Sequence, residues 1–382
     1  MSSEVLSVLQ HCAIIEPVFP NLKTFELWFF TGELIPFIPL FLSPGTIIAT
    51  ILSIEPSKLP KVMIASILTI FPTLCPNIQE VTLEPLPRDP IITSAISGML
   101  LASNRNTLRS LRVDYPLTEG ALEVICKLPN LRELCVVIER ETPLPTVVLP
   151  SLIDLVVKYD RKGDWLQVFR GATLGKLETI EFRSGSEQIG NFLKEFARVA
   201  SAQNTLSEFS LYTSCLWNPN YSSLLPFTQL TKLCIESSCD DGCSSTVDDD
   251  SIADLARAMP KLKRLALGDV PCGEIHTGVT AKALVALAHH CLGLSTLRIH
   301  FRVVSLSDVP QRVCTLRNLE VGGMLLPDEM VLMVAVTLAL IFPRIESTHC
   351  ADMNWRQVTA AISISRKIVN YSSKNTLLHT SN

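Results

Sequence analysis

The sequence is poor in aromatic and charged residues. Only 6% of its 382 residues are Phe, Trp or Tyr and 18% are Asp, Glu, Lys or Arg, whereas 47% are hydrophobic. So high a hydrophobic fraction excludes an intrinsically disordered chain. The net charge of −4 gives no general attraction for nucleic acid or anionic lipid, so neither is expected as a partner.

Long uncharged segments are also scarce. One covers residues 34–54, and Pro36, Pro39 and Pro44 interrupt it, so we expect no membrane-spanning helix there. A second, over residues 330–342, is too short to cross a bilayer and is predicted to be a buried helix. The first residues include Glu4 and no basic region, so a signal peptide is not expected.

The cysteines lack the paired spacing of a disulfide or zinc framework. The 12 cysteines are scattered singly among aliphatic residues, apart from Cys239 and Cys243. This placement is typical of reduced, buried thiols and favours a cytoplasmic or nuclear location.

Catalytic motifs are missing as well. The chain has no glycine-rich phosphate loop, no nucleophile elbow and no zinc-protease motif. The best metal candidate joins Cys239 and Cys243 with Cys272 and His276, but a solvated acidic loop explains these residues better. Asp250 or Ser251 is expected to cap a helix, and the pair His289 and His290 to end another. We therefore predict no enzyme activity, no cofactor and no metal.

A repeated pattern is what the sequence does contain. An aliphatic residue at position i, followed by others at i+3 and i+5, recurs along the chain in steps of 21 to 32 residues. A gap after the first copy is filled by a weak copy, Ala49, Leu52 and Ile54. The first positions are Leu22, Ala49, Ile78, Leu108, Leu131, Leu152, Leu177, Leu206, Leu230, Leu262, Leu294, Leu316 and Ile345.

The segments between these copies have helical periodicity. Apolar residues fall at i, i+3 and i+4 over residues 121–125, 189–200, 252–259 and 283–291. A proline often stands two residues before the pattern, as at Pro129 and Pro260, where it would end a helix and favour extended backbone.

Strand and helix therefore alternate every 27 residues or so, which is the period of a leucine-rich repeat. The predicted fold class is α/β, a leucine-rich-repeat solenoid or horseshoe with a parallel concave β-sheet and outer helices. Residues 1–18 are expected to form a cap or tail, residues 19–359 about thirteen repeats, and residues 360–382 a C-terminal cap and flexible tail.

Several stretches resemble the F-box-like leucine-rich-repeat proteins of fungi: PLPRDP with SNRNTLRSLRVD, DWLQVF with GATLGKLE, and SCDDGCSSTVDDD with ALAHHC. That resemblance implies the substrate-binding part of an F-box type (SCF) ubiquitin-ligase receptor. The first strand is predicted near residue 22, with no F-box-like helical module before it, so the sequence is expected to be the repeat domain alone. A Skp-type adaptor is then expected as a partner only where an F-box is present.

Side chains at i+2, i+4 and i+6 are predicted to face the concave side, because alternate residues of a strand point to opposite faces. With Ala49 as its first position, the second repeat places Ser53 at i+4. The first half of the face is expected to be acidic through Glu80, Glu84, Asp114, Glu133 and Asp154, and the second half basic through Lys232, Arg264, Arg298 and His300. The candidate protein-binding residues are Trp28, Glu84, Arg112, Asp114, Lys158, Glu181, Arg183, Tyr212, Lys232, Arg264, Arg298 and His300.

Mixed charges with arginine and aromatic anchors suit recognition of a protein. The leading hypothesis is thus a monomeric, non-catalytic module that binds a protein substrate on its concave face. A free-standing scaffold, or an F-box-less paralogue with no ligase role, stays open as the alternative. Arg264 and Arg298 are expected to attract an acidic partner without contributing to folding.

Overall fold

The structure, a computed structural model, describes residues 17–29, 37–53, 60–84, 89–102, 106–138, 149–159, 174–184, 192–199, 204–213, 221–237, 247–268, 278–302, 314–321, 326–349 and 354–364. The chain forms two compact units. The first comprises Met1–Arg183 with Val199–Ala202, and the second comprises Ser184–Arg198 with Gln203–Asn382.

The first unit is built on parallel strands that follow one another in chain order. The strands are β1 (Thr24–Phe29), β2 (Ile48–Ser53), β3 (Glu80–Glu84), β4 (Ser110–Pro116), β5 (Glu133–Ile138), β6 (Asp154–Tyr159) and β7 (Thr179–Ser184). The helices are α1 (Lys61–Leu74), α2 (Pro90–Ala102) and α3 (Glu119–Ile125).

The second unit repeats this arrangement. Its strands are β8 (Glu208–Thr213), β9 (Lys232–Ser237), β10 (Arg264–Leu267), β11 (Thr296–Ile299), β12 (Asn318–Glu320) and β13 (Ser347–His349). Its helices are α4 (Phe192–Val199), α5 (Asp249–Ala258), α6 (Ala281–His290), α7 (Val331–Ile341) and α8 over residues 354–364.

The aliphatic pattern of the sequence forms the core of each unit. Residues at i+3 and i+5, such as Leu111 with Val113 and Leu265 with Leu267, are buried on their strands. At the start of most strands, two successive backbone N–H groups donate to one carbonyl of the preceding repeat. Arg109 and Ser110, for example, both donate to the carbonyl of Gln79. This recurring bond fixes the register of neighbouring repeats.

The frame predicted for the second repeat is wrong. Phe25 is in register with Ala49 and Leu27 with Ile51, so the repeat begins at Thr46 and not at Ala49. Thr46 occupies the buried aliphatic position, and its hydroxyl oxygen accepts a hydrogen bond from the Ser43 backbone N–H at 3.2 Å. The aliphatic pattern did not identify Thr46 as the start of the repeat, because the pattern requires an aliphatic residue at that position. The i+4 residue of β2 is therefore Thr50, and Ser53 does not hold that position.

Helices α3 to α6 lie where the periodicity predicts them, with one change at a helix start, whereas α1, α2 and α8 lie outside the predicted segments. Helix α5 begins at Asp249 and is capped by Asp248, whose carboxylate accepts from the Ser251 backbone N–H at 2.8 Å. The predicted caps, Asp250 and Ser251, lie inside the helix. Asp249 instead links two repeats, since its carboxylate accepts from the backbone N–H and the hydroxyl of Thr280, each at 2.6 Å.

Aromatic side chains are few but clustered in the second unit. The Phe196 ring lies 5.8 Å from Phe192, 5.2 Å from Phe209 and 5.4 Å from Phe227, centroid to centroid. All four rings are almost fully buried. The aliphatic pattern predicted an aliphatic core throughout and did not reveal this cluster, which joins α4 to β8 and the following turn.

The two uncharged segments take different forms. The described part of residues 34–54 is a short 3₁₀ helix over residues 37–40, a turn and then β2, which agrees with its prediction as a repeat. Residues 330–342 contain α7, but Leu332, Val336 and Leu340 on this helix are exposed, so it is buried on one side only. Within the described ranges, every helix is too short or too polar to span a bilayer.

The α/β class and the parallel sheet flanked by helices are confirmed, as in a leucine-rich-repeat-like fold. The horseshoe curvature and the boundaries at residues 18 and 359 stay predictions.

Candidate protein-binding face

The side chains at i+2, i+4 and i+6 of the strands form what we call the strand face. In each unit the register of neighbouring strands aligns the predicted residues at i+2, at i+4 and at i+6, except in the second repeat. The predicted side chains Trp28, Glu84, Arg112, Asp114, Lys158, Glu181 and Arg183 lie on the first unit, and Tyr212, Lys232, Arg264, Arg298 and His300 on the second. Their role in binding a protein stays a prediction.

Every described cation on the strand face of the first unit has a carboxylate partner. Lys158 Nζ lies 3.3 Å from Asp114 Oδ1, and Arg112 Nε lies 3.9 Å from Glu84 Oε1. Arg183 pairs with Glu181 on its own strand. Cross-strand pairs of this kind hold long side chains in fixed positions, although exposed pairs add little to stability.

Four carboxylates of this unit's strand face have no such cation. Glu133 accepts from the Ser110 hydroxyl at 3.0 Å, and Glu26 accepts from the Trp28 indole N–H at 2.7 Å. Glu80 and Asp154 form no ion pair within the described residues. The strand face of the first unit therefore keeps the acidic character that the sequence predicts.

The strand face of the second unit is balanced in charge, where the sequence predicted a basic surface. In its described part, Lys232, Arg264 and Arg298 stand among Glu208, Glu236 and Glu320. Lys232 Nζ lies 3.3 Å from Glu208 Oε2. The sequence-based prediction named only the cations of this face and left out Glu208, Glu236 and Glu320, which stand at the same kind of strand position.

Arg298 holds two carboxylates at once. Its Nη1 lies 2.9 Å from Glu236 Oε1 on β9, and its Nε donates to Glu320 on β12. Strand β10 lies between β9 and β11, and its i+4 residue is Ala266, whose small side chain leaves room for Arg298 to cross it. Arg298 is therefore part of a structural ion pair, and Arg264 is exposed with no ion pair among the described residues.

Burial favours the protonated form of the cysteines on this face. Cys234 Sγ donates to Glu236 Oε1 at 3.0 Å, and burial raises the pKa of the Cys234 thiol to about 12. Burial also raises the pKa of Cys135 at the equivalent position on β5. A thiol that stays protonated is a poor nucleophile and a poor metal ligand. This agrees with the buried, reduced thiols that the scattered placement of the cysteines predicts.

Burial keeps thiols protonated elsewhere as well. It raises the pKa of Cys75 to about 11 and that of Cys291 to about 12. We expect iodoacetamide at pH 8 to modify both, and Cys234, roughly 100-fold more slowly in the native protein than in denaturant. Peptide mapping by mass spectrometry would measure each site. Native and denatured rates that agree within twofold at Cys234 would contradict its burial.

The same shift sets a pH dependence of stability. The pKa of Cys234 rises from 9.0 to about 12 on folding, so the folded state favours the protonated thiol. Its contribution to the free energy of unfolding is therefore complete below pH 9 and decreases as the pH rises toward 12.

No metal cluster occurs among the residues that the structure describes. The candidate ligands Cys239, Cys243, Cys272 and His276 lie outside them. His289 and His290 end α6 with their ring centroids 4.5 Å apart, as the helix-end reading predicts. A positive charge at this end of a helix is favourable, so these residues have a structural explanation.

Comparisons with known proteins leave the family open. No protein-family model and no curated protein matches the sequence. Among solved structures, the chain resembles the crystal structure of the Rad7 and Elc1 complex in yeast, with a TM-score of 0.48 and 11% sequence identity. That alignment covers 93% of this chain and 85% of the other.

Proposed function

We propose that this protein is a non-catalytic recognition module whose strand face binds a protein. The supporting observation is that face itself, where charged and aromatic side chains stand in register on parallel strands. Ion pairs fix the charged side chains, and a hydrogen bond to Glu26 fixes Trp28. Fixed side chains lose less conformational freedom on binding than mobile ones, which favours affinity.

The finer proposal is a substrate receptor of an F-box type ubiquitin ligase in the cytoplasm or nucleus. It rests on the sequence stretches that resemble fungal F-box-like proteins. In such a receptor the strand face selects the substrate, and a Skp-type adaptor joins the F-box to the ligase.

Capture of partners by three forms of the full chain would test the recognition role. The strand-face variant combines Trp28→Ala with Arg264→Glu, one exposed residue from each unit. The control combines Val62→Ala with Lys282→Glu, which are exposed on α1 and α6. We expect proteins that wild type and control both capture to fall roughly 10-fold with the strand-face variant. Equal recovery with all three forms would contradict the proposal.

A second measurement separates the ligase receptor from the free-standing scaffold. The full chain is mixed with a purified Skp-type adaptor and passed over a size-exclusion column. Co-elution supports the receptor. A chain that captures a strand-face partner and elutes apart from the adaptor supports the scaffold.

A further inference from the structure

The strand face has an apolar patch that the predicted start of the second repeat, Ala49, did not reveal. With the repeat starting at Thr46, the three residues of β2 on this face are Ile48, Thr50 and Leu52. Ile48 and Leu52 are partly exposed. Leu52 is in register with Trp28 on β1, whose side chain is 58% exposed. Strands β1 and β2 therefore present a large indole and two aliphatic side chains to the outside.

Carboxylates border this patch on both sides. Glu26 stands on β1 and binds the indole N–H of Trp28, which fixes the ring. Glu80 and Glu84 stand on β3, in register with Ile48 and Leu52 respectively. Neither Glu26 nor Glu80 forms an ion pair within the described ranges.

Glu84 adds an unsatisfied group. Its Oε1 atom is buried and accepts no hydrogen bond, and the Arg112 Nε atom is 3.9 Å away. A buried carboxylate oxygen without a donor is costly, and a cationic donor from outside would remove that cost. The patch therefore combines exposed apolar area with the uncompensated charges of Glu26 and Glu80 and with an oxygen of Glu84 that lacks a donor.

We propose that this patch, on β1 to β3, binds a protein segment in which an apolar side chain is followed closely by lysine or arginine. The apolar side chain covers Trp28 and Leu52, and the cation pairs with Glu80 and Glu84. The proposal rests on the recognition role of the strand face and names its partner. Complementary charge selects basic over acidic segments, and burial of the indole supplies affinity.

The sheet geometry sets the spacing of the two groups. Strands β1 and β3 are two strand spacings apart, about 10 Å, which is the length of about three extended residues. The apolar and basic side chains of the bound segment are therefore about three positions apart when it crosses the strands.

An array of short random peptides, probed with the labelled full chain, tests this directly. We expect the bound peptides to be enriched in an apolar residue with lysine or arginine about three positions away. Glu80→Lys should shift the selection toward acidic peptides, and Trp28→Ala should remove the apolar preference. A wild-type selection that lacks this pairing, or one that both variants reproduce, overturns the proposal.

Affinities for one selected peptide provide matched controls. Fluorescence anisotropy should show roughly 10-fold weaker binding with Trp28→Ala and with Glu80→Lys. Val62→Ala and Glu123→Lys remove similar groups from exposed positions on α1 and α3 and should leave affinity within twofold. Equal losses with the controls would overturn the site. Thermal unfolding of each variant verifies that the unit is intact.

The partner-capture assay distinguishes a failure of the patch proposal from a failure of the strand-face recognition role. If Trp28→Ala with Glu80→Lys keeps the partner and Arg264→Glu loses it, the patch is wrong and strand-face recognition stands. If no strand-face variant changes capture, the recognition role itself fails.

Discussion

Leu265→Asp is expected to lower the free energy of unfolding of the second unit by about 5 kcal/mol, the largest effect of any single change considered for this chain. Leu265 is fully buried at i+3 of β10 and in register with Leu233 and Leu297, which are also fully buried. The substitution removes an aliphatic side chain from the core and leaves a carboxylate there with no cation.

The loss should be local in its first step, because each repeat of such a stack packs mainly on its neighbours. Hydrogen exchange should therefore show faster opening of β9 to β11, and urea unfolding should give the change in stability. Leu292→Asp is the matched control, since Leu292 is 47% exposed in the same unit. It should change stability by no more than about 0.5 kcal/mol. Equal stability of the two variants would show that Leu265 is not in the core.

Arg298→Glu is expected to destabilise the second unit by about 3 kcal/mol. The change places a third carboxylate beside Glu236 and Glu320, which Arg298 now joins. Glu236 is only 11% exposed, so water solvates its charge poorly once the guanidinium is gone. The 30% exposure of Arg298 keeps the effect below that of a fully buried pair.

Arg264→Glu is the control, because Arg264 lies on the neighbouring strand and makes no ion pair with any described residue. It should change stability by about 0.5 kcal/mol at most. Combining Arg298→Met with Glu236→Gln should recover much of the loss, since the poorly solvated pair is then removed and only the Glu320 carboxylate, which is 29% exposed, is left. At acidic pH, where carboxylates are protonated, the Arg298→Glu deficit should shrink. Urea unfolding that gives Arg264→Glu and Arg298→Glu the same stability would refute the structural role of Arg298.

The two ion pairs of Arg298 change an expectation from the sequence. Arg264 stands at i+2 and Arg298 at i+4 of neighbouring strands, and the sequence predicts that both attract an acidic partner. Arg298 is engaged by two carboxylates, whereas Arg264 makes no ion pair among the described residues. The i+4 position of Arg298, next to the small Ala266, lets its side chain reach Glu236 two strands away. Which carboxylate a cation reaches depends on side chains that are 62 positions apart in the chain, so a column of residue types does not reveal it.

The second repeat shows a different limit. Most repeats begin with a leucine or isoleucine, and there the frame follows from the sequence. The second begins with Thr46, which is buried because Ser43 donates a hydrogen bond to it. A buried threonine with a local partner is indistinguishable by pattern from an exposed one. The error concealed Ile48 and Leu52, and with them the apolar patch beside Trp28.

The sequence by itself determined the α/β class, the parallel order of the strands, most of the register and the location of helices α3 to α7. Aliphatic spacing and helix-ending prolines act over a few residues, and each repeat packs on the next, so local signals suffice. The tertiary structure decided which charges on the strand face form ion pairs, which thiols are buried and stay protonated, and where apolar side chains are exposed. These properties depend on burial and ion pairing, which arise from contacts between residues of separate repeats.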